Sequence, residues 1–389
     1  MKGVFIFDQV ISLGDDGKYY DAIFTNTVFE RYTKHLDELT ILVRQRPADM
    51  KVINERSIPS INTETIRVVE MPNLLSVKGL FCYKQAWKIL YKEISNTDIV
   101  FIREPSVLEG MATKICQKLK KKYILELGGC PWDTFWNQGT KGKIVAPFRY
   151  LSTKKATKNA KYVVYVTNRW LQQRYPTKGE YVCCSNVNIE CDIENLKNRL
   201  NKIKREKNNK KMIIGSIGDY DVRSKGHRFV IQALKSLNDN ETGLKYYYEI
   251  VGSGNKNESK ELAINLGVEN YVKFLPPMNH NDILSWLDSI NIYAQPSKQE
   301  GLPRSVIEAM SRGLAVVGAE TGGIPELIRK ECVFTNGKRE VEEIVKIIKS
   351  IDSKKAIELA NENFENAGNY NATIIEKRRS DFFQKIINE

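Results

Sequence analysis

The sequence predicts an α/β protein made of two doubly wound domains that face each other across a cleft. Three observations lead there. Short β-branched or aromatic runs alternate with longer helical patterns along the whole chain, as parallel strands covered by helices on both faces do. At 389 residues the chain is too long for one ordinary core and suits two. The alternation breaks only once, at the polar, strongly basic and aromatic-free stretch 195–211, NLKNRLNKIKREKNNKK.

Taken in order, Val4–Phe7, Leu39–Val43, Ile99–Ile102, Tyr123–Leu127 and Tyr162–Thr167 read as buried parallel strands. Helical stretches such as Phe81–Ser95 and Gly110–Lys121 lie between them. The basic stretch 195–211 reads as a linker or an exposed helix joining two domains, the plainer alternative being a surface helix inside one domain. Beyond it Met212–Ile217, Tyr246–Val251, Tyr271–Leu275, Ile290–Ala294 and Ala315–Gly318 restart the strand series. The expected domains are therefore 1–194 and 212–371, with a charged final helix, 372–389, packing back on the first. In such sheets ligands sit beyond the carboxyl ends of the strands.

Composition narrows the function classes. Hydrophobic residues make up 42%, enough for a core in each half. The net charge of +13 favours anionic partners without choosing among nucleic acid, anionic lipid and phosphorylated small molecules. Seven scattered cysteines form neither a disulfide framework nor paired CxxC motifs, and the three histidines are not at ligand spacing. No signal-peptide pattern opens the chain and no apolar run is long enough to span a bilayer. The expected location is the cytoplasm, at the inner face of the membrane if the basic first domain docks there.

The most informative segment is Pro296–Pro325, PSKQEGLPRSVIEAMSRGLAVVGAETGGIP. A strand ends before it, and Pro303 suits the first turn of a helix that runs through Ser305–Arg312 and stops at Gly313. Amides around Arg304–Val306 would then be free at the helix start, ready for a diphosphate. Glu300 precedes the helix, where a carboxylate can take sugar hydroxyls, and Glu308 lies inside it, in reach of a ribose. Two glutamates at this spacing are, on their own, ordinary solvated charges. The ordered series of strand, Gly-Leu-Pro turn, helix, Gly stop, strand and Gly-Gly-Ile-Pro turn is what sets them apart.

At these residues the chain resembles the retaining glycosyltransferases of family 4, which have the GT-B fold of two Rossmann-like domains. Glu300-Gly301-Leu302-Pro303, Glu308-Ala309-Met310, Gly313 and Gly322-Gly323-Ile324-Pro325 match that family's pattern. The resemblance implies that Glu300 contacts the donor hexose and Glu308 the ribose, with the turn Leu302–Ser305, including Arg304, over the diphosphate. It implies a nucleoside-diphosphate sugar as donor, retention of configuration, and no metal or other cofactor. Family members place a lysine-glycine where this chain has Lys225-Gly226, making Lys225 the leading phosphate residue. Many also carry an arginine just after the glycine that ends the preceding strand. Here Gly218 is followed by Asp219, and Arg223 is the substitute. Gly252, in Gly252-Ser253-Gly254, and Leu275, whose backbone would meet the nucleobase, complete the donor set.

Signals in the first domain are weaker. Asp8–Lys18 reads as a loop after the first strand, with Gly14 and Gly17 for flexibility. Glu126 to Asn137 combines glycines, two tryptophans and carboxylates. Aromatic faces beside carboxylates suit sugars, while a Trp-anchored core corner is an equal alternative. The segment resembles the CPWD-x-x-WN version found in some polysaccharide-assembly transferases. Glu126, Trp132, Asp133, Gly14 and Arg103 are the acceptor-binding candidates, for a saccharide or a lipid-linked saccharide. Lysines from Lys118 to Lys161, with Phe148 and Tyr150, make either a solvated face or a contact for an anionic membrane. The rival readings are a nucleotide-sugar epimerase or sugar phosphorylase on the same fold, a nucleic-acid-binding protein, and a degenerate scaffold. No nucleic-acid-binding motif accompanies the charge, so no nucleic acid is expected.

Overall fold

The structure, a computed structural model, describes residues 1–55, 58–75, 77–239 and 243–389. It divides into two compact units, Met1–Cys184 with Glu376–Glu389, and Ser185–Ile375.

The first unit holds β1 (Lys2–Leu13), β2 (Tyr19–Tyr20), β3 (Glu38–Pro47), β4 (Ile66–Glu70), β5 (Ile99–Glu104), β6 (Lys122–Leu127), β7 (Tyr162–Tyr165) and β8 (Glu180–Cys183). The strands lie in the order β4-β3-β1-β5-β6-β7-β8, all parallel, with β2 antiparallel against the end of β1. Phe5, Ile6, Ile41, Leu42, Phe101, Ile102, Ile124 and Leu125 are buried together, which is why these strands read as unbroken apolar runs. The order reverses between β1 and β5, creating a switch point at their carboxyl ends.

Two expectations change here. β1 does not stop at Phe7 and yield to a loop from Asp8: its register against β3 shifts between Ile6 and Val10, and pairing resumes through Leu13. A bulge of this kind restores burial, so Ile11 is fully inside. The loop shrinks to a turn in which the Gly14 amide donates to the Lys18 carbonyl at 2.8 Å and the Gly17 amide to that of Gly14 at 3.0 Å. Gly14 is thus a hairpin residue between β1 and β2.

The second unit holds β9 (Lys211–Ile217), β10 (Lys245–Val251), β11 (Val272–Leu275), β12 (Ile292–Gln295), β13 (Ala315–Ala319) and β14 (Val333–Phe334). They run parallel in the order β11-β10-β9-β12-β13-β14. The switch point falls between β9 and β12, whose carboxyl ends lead into Gly218 and Pro296.

The expected linker 195–211 is not a linker. Most of it forms a helix, Ile193–Arg205, whose cap Asp192 accepts from the Glu194 amide, and it belongs to the second unit. Arg199 is only 4% exposed and donates to the carbonyls of Leu287 and Ile290, both at 2.8 Å, and of Arg312 at 3.2 Å. Lys202 reaches the Asp288 carbonyl at 2.8 Å. These carbonyls lie at the C-terminal ends of helices His280–Ser289 and Arg304–Ser311, where acceptors lack intrahelical donors and cations are favoured. The basic composition serves packing.

The final helix, Ala372–Asn388, packs on the first unit from Glu376 onward. Phe383 lies 5.8 Å from the Tyr32 ring and 5.2 Å from Phe101, and Glu376 pairs with Arg31 at 2.8 Å.

Candidate functional site

At the β9/β12 switch point of the second unit, three loops are keyed together by glycines. Gly226 has φ 74°, and a Cβ there would stand 2.0 Å from the Pro296 carbonyl oxygen. Gly322 has φ 56°, and its Cβ would stand 2.3 Å from the Glu300 carbonyl oxygen. Only glycine accepts that backbone at that separation. The Lys298 amide donates to the Ser224 carbonyl at 2.7 Å and the Gly323 amide to that of Gly301 at 2.7 Å, closing the lysine-glycine turn, the Pro296–Pro303 loop and the Gly-Gly-Ile-Pro turn on one another.

This framework fixes Glu300. Its Oε1 accepts from Lys225 Nζ at 3.0 Å and from Gln295 Nε2 at 2.9 Å. Gln295 is itself held, its Oε1 accepting from the Tyr293 hydroxyl at 2.9 Å and the Ser305 hydroxyl at 3.2 Å. The Lys225 side chain rests against Gly218, where a Cβ would stand 3.0 Å from its Cγ and Cδ. Behind it, His227 Nε2 donates to the Gly218 carbonyl at 3.2 Å and Nδ1 accepts from the Tyr248 hydroxyl at 2.9 Å, whose oxygen lies 2.9 Å from the Ser216 hydroxyl. Burial pushes the His227 imidazole down to about 4, so it is neutral at physiological pH.

The helix Arg304–Ser311 begins one residue later than expected, with Pro303 as its extended cap. The amides of its first turn, on Arg304, Ser305 and Val306, have no intrahelical acceptor, and the Ser305 hydroxyl ties this turn to Gln295, which also holds Glu300. Glu308 follows on this helix, half-buried, and burial raises its carboxyl above the ordinary range against the pull of Arg304 and His280. Leu302 and Pro303 are buried under the turn and Gly301 is partly covered. Glu300, Gly301, Leu302, Pro303, Arg304, Ser305, Glu308, Lys225 and Gly218 therefore come together.

Three donor-side expectations fall elsewhere or are already occupied. Arg223 is exposed and pairs with Glu258 at 3.2 Å, whereas Lys225 pairs with Glu300. The Leu275 carbonyl already accepts from the Gly252 amide at 3.1 Å and from the Tyr220 hydroxyl, which fills both its lone pairs. Gly252 is structural: a Cβ would stand 2.1 Å from the Gly218 carbonyl oxygen. Asp219 accepts from the Ser253 amide at 3.2 Å and from its hydroxyl, clamping the Gly-Ser-Gly turn.

In the first unit, Arg103 and Glu126 pair with each other at 3.3 Å. Glu126 also takes the buried Tyr32 hydroxyl at 2.9 Å, and Arg103 lies 5.4 Å from the Phe24 ring centre. Trp132 stacks on Trp136 at 5.1 Å, its amide donating to the Tyr175 hydroxyl at 3.3 Å. Asp133 faces Arg174 at 3.7 Å, and burial raises its carboxyl. The Trp pair and Asp133 share the helix Pro131–Trp136, whereas Arg103 and Glu126 are strand residues locked in an ion pair.

Asp8 and Glu104, which the sequence places after the first strand and after Ile99–Ile102, belong to a carboxylate group near the β1/β5 switch point that sequence reading did not assemble. Asp8, on the β1 bulge, is raised by burial and pairs with Arg44 at 2.7 Å. Glu104, ending β5, is fully buried and raised by burial and by neighbouring Glu109; Arg149 lies 3.3 Å from the first and 3.6 Å from the second. No spacing rule relates these five positions, so only the fold could assemble them.

Among the described residues no group of three or more His, Cys, Asp and Glu is placed to hold a metal ion. The chain matches the family model for glycosyl transferases group 1 over residues 197–370. It is 33% identical over 402 aligned positions to protein CapJ of Staphylococcus aureus, covering 100% of this chain and 97% of CapJ. A shorter match, 35% over 111 positions, relates 27% of each chain to the amylovoran biosynthesis glycosyltransferase AmsK of Erwinia amylovora. Among solved structures, Anabaena HepE in complex with UDP superposes with a TM-score of 0.68 at 16% identity, over 99% of this chain and 100% of HepE. Two parallel-sheet units of GT-B type, the keyed Glu300 loop and a full-length relative lead to one conclusion: the chain belongs to the group 1 glycosyltransferases.

Proposed function

We propose that this glycosyltransferase is a retaining enzyme of family 4. It moves a hexose or hexosamine from a nucleoside-diphosphate sugar to a saccharide or lipid-linked saccharide during bacterial surface-polysaccharide assembly. The observation that carries the reading is Glu300, held by Lys225 and Gln295 beside the open first turn of the helix Arg304–Ser311. One carboxylate oxygen is occupied, which leaves the other to accept a hydroxyl of the donor sugar. Lys225 has three donors and spends one on Glu300. The remaining two, with the amides of Arg304–Val306, face the charge that grows on a departing diphosphate. In this reading these groups supply positive charge without a metal ion, and Glu308 recognises the ribose.

On the acceptor side, Trp132 and Asp133 are the residues best suited to a saccharide. The polysaccharide context is supported by likeness to AmsK, and UDP in HepE makes a uracil nucleotide the first to try. The reaction is proposed for the cytoplasmic side of the membrane.

The test is thermal unfolding of the purified protein with UDP, GDP, ADP and CMP, then with the matching sugar nucleotides. A rise with one nucleotide family, lost in Lys225→Ala, is expected. No rise with any of them would overturn the donor assignment. Product analysis with an acceptor then separates a transferase from an epimerase or phosphorylase.

A further inference from the structure

The helix Gly139–Asn159 of the first unit turns small residues inward and large apolar residues outward, the reverse of a helix buried by its own domain. Its inward residues are small: Gly142, Ala146, Thr153, Ala156 and Thr157 are buried, and Arg149 turns in to Glu104 and Glu109. Its large apolar residues point out. Ile144 is 65% exposed, Phe148 71% and Leu151 63%. At 3.6 residues per turn these three form one stripe, and Lys141, Lys155 and Lys158 extend the same stripe at its two ends. The helix contains six cationic residues and no carboxylate. At its start Trp136 is 40% exposed, with the Lys143 ammonium 5.6 Å from its ring centre.

We infer that this face docks on an acidic lipid bilayer, with Ile144, Phe148 and Leu151 entering the headgroup boundary. Charge complementarity selects that occupant. A protein partner or a second copy of this chain would have to supply carboxylates to a stripe whose two ends are both lysine. An acidic bilayer offers apolar depth in the middle and anionic headgroups all round. Aromatic rings with nearby lysines also suit the membrane interface, where one end is apolar and the other wet. No helix among the described residues is long and apolar enough to cross a membrane, so the contact lies in the plane of the surface. The inference uses only first-unit residues and does not depend on the donor reading.

The experiment is co-sedimentation of the full chain with phosphatidylcholine vesicles, with and without phosphatidylglycerol. Binding only to the acidic vesicles, falling as salt rises, is expected. Ile144→Ser, Phe148→Ser and Leu151→Ser combined should weaken it about a hundredfold, and Lys141→Gln, Lys155→Gln and Lys158→Gln combined should abolish the lipid preference. All six side chains are exposed, so both variants should unfold at the wild-type temperature and keep the wild-type nucleotide response. Equal binding by wild type and apolar variant overturns the inference. So does a dimer in sedimentation velocity that the apolar variant dissolves while acidic vesicles capture nothing. A lost nucleotide response with intact vesicle binding would instead remove only the donor assignment.

Discussion

Gly322→Ala should damage the protein in a way that can be separated into two parts. A left-handed backbone costs a non-glycine residue about 1–2 kcal/mol, partly offset by the stiffer unfolded chain. Gly267 supplies that part alone, since it has φ 68° with nothing within 4 Å of where an added methyl would sit. At Gly322, φ 56°, the added methyl also meets the Glu300 carbonyl oxygen at 2.3 Å and the Gly301 oxygen at 2.9 Å. Both are backbone atoms, and the Gly301 oxygen is held by the Gly323 amide at 2.7 Å, so relief requires moving the Glu300 loop. Overpacking of this kind adds about 1–3 kcal/mol. For a domain of this size 1 kcal/mol shifts Tm by about 2–4 °C. Gly267→Ala should therefore lose a few degrees and Gly322→Ala about twice that or more, measured by differential scanning calorimetry. Gly322→Ala alone should also weaken sugar-nucleotide binding by calorimetric titration, because Glu300 moves with its carbonyl. Equal Tm losses with unchanged binding would refute the view that these glycines key the site.

Three further outcomes follow from the structure. Glu308 has its folded carboxyl raised by burial, so its contribution to stability is present at low pH and lost as pH rises past the ordinary glutamate range. Glu308→Gln should then match or exceed wild-type Tm at pH 7, lose that advantage in acid, and bind donor more weakly. His227, held down to about 4, works in the opposite sense, its stabilisation present above the free imidazole range and lost as pH falls. Denaturant unfolding should show wild type losing about 2 kcal/mol more than His227→Asn between pH 7 and pH 5. Arg199→Met should cost about 2–4 kcal/mol in the same assay, because three carbonyls lose their donor. Surface-like values for Arg199 would mean that 195–211 behaves as a linker after all.

Much of the donor site could be read locally. Glu300 to Gly313 is one loop and one helix, so the spacing of Pro303, Glu308 and the glycines maps directly onto a cap, a helical face and a stop. Strand positions were legible for the same reason: parallel strands buried on both faces need unbroken apolar runs, and β5, β6, β9 and β13 have them. β8 and β14 were not, because an edge position lets exposed Glu180 and the two-residue Val333–Phe334 pair without a signal.

What the linear order decided, then, was the alternation of strands and helices, the glycine positions with left-handed or crowded backbone, and the Glu300 segment. Each is a short-range property in which neighbouring residues supply the constraint. Tertiary structure alone decided that Lys225 meets Glu300 across 75 positions while Arg223 turns to Glu258. It also decided that the basic run 195–211 caps two helix ends, and that Ile144, Phe148 and Leu151 face outward. Charge and hydrophobicity say that a side chain needs a partner; which partner it finds depends on what the fold brings within a few ångströms.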